Sequence, residues 1–236
     1  MRKIEDKIPK HVAIIMDGNR RWAKAKNLST FQGHLKGEER IEPIVDTAID
    51  LGITHLTFWA FSTENWYRAK REVSFLLNLY RINLNKKMDR FHKKNVKIKI
   101  IGNIAMFPPD IQRKTAEWMK MTKNNNKIIV NFALSYGGRD EIVRAINKWR
   151  LSPQQKADQP QAEKLTEEEF EKYLDTTGQS DPDLLIRTGG ERRLSGFLLW
   201  QIEYTEIYFT DIFWPDFTPF EFKKAIADYS KRIRRF

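Results

Sequence analysis

The sequence predicts one α/β domain, residues 1–236, built on a central, mostly parallel sheet flanked by helices. Three observations carry this. Five apolar runs of strand length alternate with segments of helical period, and each run breaks off in a polar turn. A chain of 236 residues with 41% hydrophobic content also suffices for one sizeable core.

The first run, Val12–Met16, is unbroken, as in a strand buried on both faces. It ends at Asp17-Gly18-Asn19, strong turn chemistry, and Arg20, Arg21 and Lys24 follow around Trp22. A buried strand delivering a carboxylate, a flexible backbone and two guanidiniums into one crevice suits an anion and a metal. Taken singly, such a turn is better read as a strand end with solvated charges; its repetition along the chain favours a site.

Gly37–Gly52 has helical period through Ile41, Ile44, Val45, Ala48 and Ile49, with Gly52 as a stop. The second run, Leu56–Phe61, ends at Ser62-Thr63-Glu64-Asn65-Trp66, where Ser62 or Thr63 can cap a helix. From Glu72 to about Lys94 runs a long helical pattern whose first half, Val73 to Tyr80, is apolar over most of its circumference. By itself this is an ordinary core helix; the wall of an apolar channel is the sharper alternative. The third run, Val96–Ile101, ends at Gly102-Asn103, and a polar helix covers Pro109–Lys123. The fourth, Lys127–Leu134, ends at Ser135-Tyr136-Gly137-Gly138-Arg139, and Asp140–Trp149 is helical again. Ser152–Lys164, with Pro153 and Pro160, reads as an exposed loop, since the same grammar resumes beyond it. A short acidic helix (Glu167–Leu174) leads to the fifth run, Asp183–Ile186, ending at Arg187-Thr188-Gly189-Gly190-Glu191.

In parallel sheets, ligands bind outside the carboxyl ends of the strands. Those ends supply Asp17 and Arg21, Ser62 and Asn65, Tyr136 and Arg139, Arg187 and Arg193, a set of donors and cations suited to phosphate or diphosphate. The formal net charge of +11 draws nucleic acid, an anionic membrane surface or phosphorylated small molecules alike. Part of it lies in the tail (Lys223, Lys224, Lys231, Arg232, Arg234, Arg235), where a solvated helix face accounts for it. No apolar run reaches the roughly 18 residues of a membrane span, and no signal peptide precedes the first strand. The absence of cysteine excludes thiolate metal sites and fits a cytoplasmic protein. The P-loop, dinucleotide and H-E-x-x-H signatures are all missing. A lone Asp17, joined by Glu206, suits Mg²⁺, which takes one or two carboxylates and otherwise water and substrate phosphates.

Six segments together carry a resemblance: HVAIIMDGNRRWAK (His11–Lys24), the Gln32-Gly33-His34 turn, FSTENWYR (Phe61–Arg68), SYGGR (Ser135–Arg139), RTGGERRLSGFLLWQIEYTEIY (Arg187–Tyr208) and YFTDIFWPDF (Tyr208–Phe217). In this order they closely resemble the cis-prenyltransferases. The likeness covers all but about the first ten residues and the Ser152–Lys164 loop. It implies a Mg²⁺-dependent, successive condensation of isopentenyl diphosphate onto an allylic diphosphate, usually farnesyl diphosphate, with cis double bonds. It also implies an elongated apolar tunnel in the fold, and so turns the Val73 helix from plain core into a channel wall.

The family motif implies that Asp17 holds Mg²⁺ and diphosphate, with Glu206 as a second metal-linked carboxylate near a homodimer interface. It implies that Gly18, Asn19, Arg20 and Arg21 cradle the allylic diphosphate, with Trp22 and His34 alongside. Ser62, Thr63, Glu64, Trp66 and Arg68 are implied substrate contacts, and Asn65 a residue near the proton that leaves. A neutral amide is a poor base, so Asn65 is expected to orient isopentenyl diphosphate while a phosphate oxygen takes the proton. Arg187, Arg193, Leu194 and Ser195 match the isopentenyl diphosphate site. The aromatic block from Tyr204 to Phe217 is core by default and dimer contact by resemblance. Two departures stand out. Thr30 occupies a position the family commonly fills with arginine, so a phosphate contact is missing or comes from a neighbour such as Lys36, and Gly196 replaces a usual asparagine. Other readings are a non-catalytic subunit of the same fold, which predicts loss of motif residues that are present here, and a basic nucleic-acid-binding protein, which rests on charge alone. A lipid product would bring the enzyme into peripheral contact with a membrane.

Overall fold

The computed structural model describes residues 8–152 and 164–232. Six strands form one sheet: β1 (His11–Ile15), β2 (His55–Ser62), β3 (Val96–Ile101), β4 (Ile128–Tyr136), β5 (Leu184–Arg187) and β6 (Glu206–Phe209). Their order is β3-β4-β2-β1-β5-β6, and every pairing is parallel. Both β1 and β5 are buried throughout, as unbroken apolar runs between two helical layers demand. The alternation of the strand sends Val12 and Ile14 into the larger core and Ala13 and Ile15 into a smaller one with Phe197 and Leu198.

Helices α1 (Asn19–Ala25), α2 (Thr30–Glu38), α3 (Ile41–Asp50), α4 (Lys70–Lys86) and α5 (Met88–Lys93) occupy the first half of the chain. Helices α6 (Pro109–Met121), α7 (Gly138–Arg150), α8 (Glu167–Glu171) and α9 (Pro219–Ser230) follow. The chain grows outward from β1 to β2 on one side and to β5 on the other. A crevice therefore opens at the carboxyl end of β1, where strand order reverses. Register fixes what meets there: Ile15 lies beside both Trp59 and Arg187, so the residues just beyond β1 face the ends of β2 and β5.

Several expectations change. The sheet has a sixth strand, Glu206–Phe209, hidden in sequence because it spans only 4 residues inside an aromatic block. The Gln32-Gly33-His34 turn is instead the body of α2. Ser29 caps that helix by accepting from Gln32 N–H at 3.3 Å, while Gln32 Oε1 accepts from Ser29 N–H at 2.9 Å, and this reciprocal cap outweighs the two glycines. The helix expected over Gly37–Gly52 begins at Ile41, and the long Glu72–Lys94 pattern divides at Lys87 into α4 and α5. Most of the Ser152–Lys164 loop, and Arg234 and Arg235 of the tail, lie outside the described residues. No helix among the described residues is long and apolar enough to cross a membrane.

Candidate active site

At the end of β1 the backbone leaves the sheet through Gly18, whose φ of +107° is in the left-handed region. A Cβ there would also lie 2.6 Å from the Phe213 ring, so only glycine fits. The Thr188 hydroxyl, just past β5, pins this corner: it donates to the Asp17 carbonyl at 2.8 Å and accepts from Asp17 N–H at 3.0 Å. The turn then becomes α1, which carries Arg20, Arg21 and Lys24 toward the crevice.

The Asp17 carboxylate faces two guanidiniums, Arg187 Nη2 at 2.9 Å and Arg21 Nη2 at 3.1 Å. Arg187 is only 4% exposed. Its other terminal nitrogen donates to Ser195 Oγ at 2.9 Å and to the Arg193 carbonyl, so one side chain joins β1 to the loop after β5. Glu191 bridges the rim, accepting from Arg21 at 3.2 Å and from Arg193 at 2.5 Å. Arg187 Nε is buried with no partner among the described residues, a donor held in reserve.

Two connected clefts open here. The larger, about 740 Å³, is lined by residues 16–21 with Lys24, Thr30, His34 and Arg68. The second, about 310 Å³, shares Asp17, Asn19, His34 and Arg68 with it and adds Ser62, Glu64, Asn65, Arg187 and Ser195. The Asn65 amide oxygen accepts from Ser62 N–H at 3.2 Å, so the group it can offer a ligand is its NH₂. His34 sits against Glu72, Nε2 to Oε1 at 3.3 Å. Burial pushes its imidazole below the ordinary value despite the carboxylate beside it, so His34 is neutral at pH 7 and donates to Glu72. Burial also opposes ionisation of Glu72, but Arg68, His34 and Arg20 hold its carboxyl below the usual range.

Of the expected site residues, Asp17, Gly18, Asn19, Arg20, Arg21, His34, Ser62, Glu64, Asn65, Arg68, Arg187 and Ser195 line these clefts, and Arg193 stands at the rim through Glu191. Others lie elsewhere. Trp22 is buried in α1, and Thr63 packs over Gly137. Trp66 donates to Ser135 Oγ at 2.9 Å within an aromatic cluster containing Phe61 and Phe107. Leu194 lines a different hollow, beside Trp200 and Tyr204. Glu206 is at the amino end of β6, in register with Leu184, and its carboxylate accepts from Arg232 at 2.8 Å. It therefore does not meet Asp17 within one chain. Lys36 is also turned away, bound to Glu39 at 2.7 Å; Lys24 and Thr30 line the cleft instead.

Sequence reasoning missed three residues. Glu72 holds Arg68 at 2.8 Å besides His34, and its spacing of four residues from Arg68 was the available signal. Thr188 and Glu191 gave none, because a hydroxyl and an acid inside a basic motif look incidental until the strands are paired.

Comparison with known proteins fits this geometry. Residues 15–236 match the family model described as "Putative undecaprenyl diphosphate synthase". The chain belongs to this family of cis-prenyltransferases. An isoprenyl transferase of Aquifex pyrophilus is 47% identical over 230 residues, covering 98% of this chain and 96% of its own. That of Clostridium perfringens is 44% identical over 233 residues, covering 99% and 91%. Among solved structures, lavandulyl diphosphate synthase from Lavandula x intermedia, in complex with dimethylallyl diphosphate, superposes with a TM-score of 0.90 at 35% identity, covering 96% of this chain and 97% of that one. A probable undecaprenyl diphosphate synthase from Campylobacter jejuni gives 0.79 at 33%, covering 98% and 99%. The protein is thus a cis-type prenyltransferase of isoprenoid biosynthesis, acting on isoprenoid diphosphates. Among the described residues no elongated tunnel is seen; beyond the clefts lies a small apolar cavity of about 70 Å³.

Proposed function

We propose that this cis-prenyltransferase, a single domain over residues 1–236, is a Mg²⁺-dependent chain elongase. It condenses isopentenyl diphosphate onto an allylic diphosphate, with farnesyl diphosphate as primer, to give a polyprenyl diphosphate such as undecaprenyl diphosphate. The observation that carries this reading is the bridge from Asp17 through buried Arg187 to Ser195, which links two clefts with one carboxylate between them. Two clefts answer to two diphosphates.

In each condensation the allylic C–O bond breaks and its electron pair leaves with the diphosphate. The double bond of isopentenyl diphosphate supplies the electron pair of the new C–C bond, leaving a cation on its branched carbon. A proton then departs from the adjacent C2, and the C–H electron pair becomes the new double bond. Arg20, Arg21 and Lys24 support the first diphosphate, because preorganised cations stabilise charge that develops on a departing oxyanion. Arg187, Arg193 and Ser195 support the second, guanidiniums gripping a diphosphate bidentately where lysines cannot. The NH₂ of Asn65 orients the isopentenyl group, and a phosphate oxygen accepts the proton.

The donor set fits Mg²⁺. Among the described residues no group of three His, Cys, Asp or Glu side chains gathers to hold a metal. One hard carboxylate beside a phosphate site is what Mg²⁺ takes, its remaining positions going to water and substrate oxygens. Asp17 would hold it, and once bound it would neutralise charge on the departing diphosphate. Glu206 reaches a site only from a second copy, which agrees with a homodimer. A cytoplasmic enzyme with a lipid product would touch the membrane surface through its basic face.

The test is incubation with labelled isopentenyl diphosphate and farnesyl diphosphate followed by butanol extraction. Label moving into the butanol phase only with Mg²⁺ is the expected result; no lipid-soluble label would overturn the reading.

A further inference from the structure

Glu191 belongs to the charged rim between the two clefts, yet the condensation gives it no part. Its carboxylate oxygens are divided: one accepts from Arg21 Nη1 at 3.2 Å, the other from Arg193 Nη1 at 2.5 Å. Arg21 lines the cleft read as the allylic diphosphate site, and Arg193 belongs to the group that supports isopentenyl diphosphate. One carboxylate therefore occupies a cation from each site. Its position is built into the loop after β5. Gly189 turns the chain there with a φ of +86°, and a Cβ on it would lie 2.9 Å from Arg21 Nη2. The N–H groups of Gly189 and Gly190 donate to the Ile212 and Thr210 carbonyls at 2.8 and 2.9 Å, which ties the loop to the segment after β6.

The two arginines do not need Glu191 for their placement. Arg21 Nη2 keeps Asp17 at 3.1 Å, and its guanidinium lies over the Phe213 ring at 5.5 Å. Arg193 is anchored through its carbonyl, which accepts from the buried Arg187 side chain. The bridge through Glu191 is also the part of this charged group that can exchange. The Arg21, Glu191 and Arg193 side chains are 42%, 34% and 62% exposed, and ion pairs so exposed are weak.

We propose that the Glu191 carboxylate is an internal competitor for diphosphate: it holds Arg21 and Arg193 in the empty site, yields them to substrate, and takes them back as the released diphosphate leaves. This rests on the reading of the two clefts as diphosphate sites. Each condensation leaves inorganic diphosphate where the allylic headgroup was, and bare guanidiniums grip the product's phosphates as they grip the substrate's. A carboxylate competing for the same cations lowers the fraction of the site open to any anion, and raises the apparent dissociation constant by that factor. A prenyl substrate offsets the loss by burying its hydrocarbon. Free diphosphate has nothing to set against it, so Glu191 discriminates against the product.

The test is calorimetric titration with sodium diphosphate, at fixed ionic strength and without added Mg²⁺, of the wild type and of Glu191→Gln, which keeps the shape and loses the charge. Diphosphate is expected to bind about tenfold more tightly to the variant, and to inhibit its Mg²⁺-dependent turnover at a correspondingly lower concentration. Affinity unchanged or weakened in the variant would overturn the proposal and make Glu191 a brace for the two arginines. Circular dichroism checks the fold; should Glu191→Gln fail to fold, Glu191→Ala decides by the same titration with the same expectation. A wild type that binds no diphosphate also overturns the proposal. The titration needs no turnover, so a wild type that forms no lipid-soluble product removes the elongase reading alone, and binding still decides the role of Glu191.

Discussion

His11 and Asp17 flank the same strand, β1, and the contrast between its two ends separates stability from catalysis. At the amino end the side chains of His11, Thr57 and Asn131 are sealed and neutral, with the Asp183 carboxylate reaching only the backbone N–H of His11, at 3.0 Å. His11 Nδ1–H donates to the Ser180 carbonyl at 2.7 Å, and Nε2 accepts from the Thr57 hydroxyl at 2.8 Å. Thr57 in turn accepts from Asn131 Nδ2 at 2.9 Å. This chain of bonds fixes the histidine tautomer. Burial, only partly offset by Ser180, pushes the imidazole down to about 4. At the carboxyl end the groups are charged and partly open: the side chains of Asp17, Arg21 and Arg193 are 30%, 42% and 62% exposed. Exposed ion pairs are weak, so they exchange partners readily when a phosphate arrives. The buried hydrogen-bonded end has no such freedom.

That contrast can be broken from either side. Asp17 itself aside, the largest effect is expected for Arg187→Lys, which keeps the charge but loses the fork joining Asp17 to Ser195. The specificity constant, kcat/KM, for isopentenyl diphosphate should fall by about 10²–10³-fold with the circular dichroism spectrum retained. A tenfold or smaller change would remove Arg187 from the site. At the other end the effect is on stability. Because the folded-state pKa of His11 lies below the unfolded one, the unfolded chain binds the extra proton. Stability is complete above about pH 6.5 and is lost as pH falls toward about 4, by about 3 kcal/mol. Urea melts of wild type and His11→Asn across this range check it: the variant should lack that component of the slope, and parallel slopes would contradict the assignment. The smallest effect belongs to Lys24→Ala. It should raise KM for the allylic diphosphate by about three- to tenfold, since Lys24 is one of several cations on that cleft. No change in KM would leave the arginine-to-threonine departure at Thr30 without compensation.

The same contrast explains what could be read from sequence. The run Val12–Met16 announced itself because a strand buried on both faces must be apolar throughout. The cleft residues followed, since in a parallel sheet whatever ends a strand faces the ligand. Long-range pairings were illegible. That Glu72 would meet His34, 38 residues away, or Thr188 meet Asp17 across 171, depends on strand order, which local pattern does not contain. Glu206 is a further case: the register of β6 sets it beside Leu184 at the far end of the sheet, paired with Arg232, and no local pattern gives that position. The small apolar cavity could not be read from sequence, because a cavity depends on how neighbouring helices close around it.

The central claim is that one carboxylate at the end of β1 organises both diphosphate sites. Its most direct test is Mg²⁺-dependent turnover of Asp17→Ala beside the wild type, with thermal melting of both. We predict that turnover falls at least about 10³-fold while the melting midpoint stays close to that of the wild type. Turnover within about tenfold of the wild type, at any Mg²⁺ concentration, would contradict the claim.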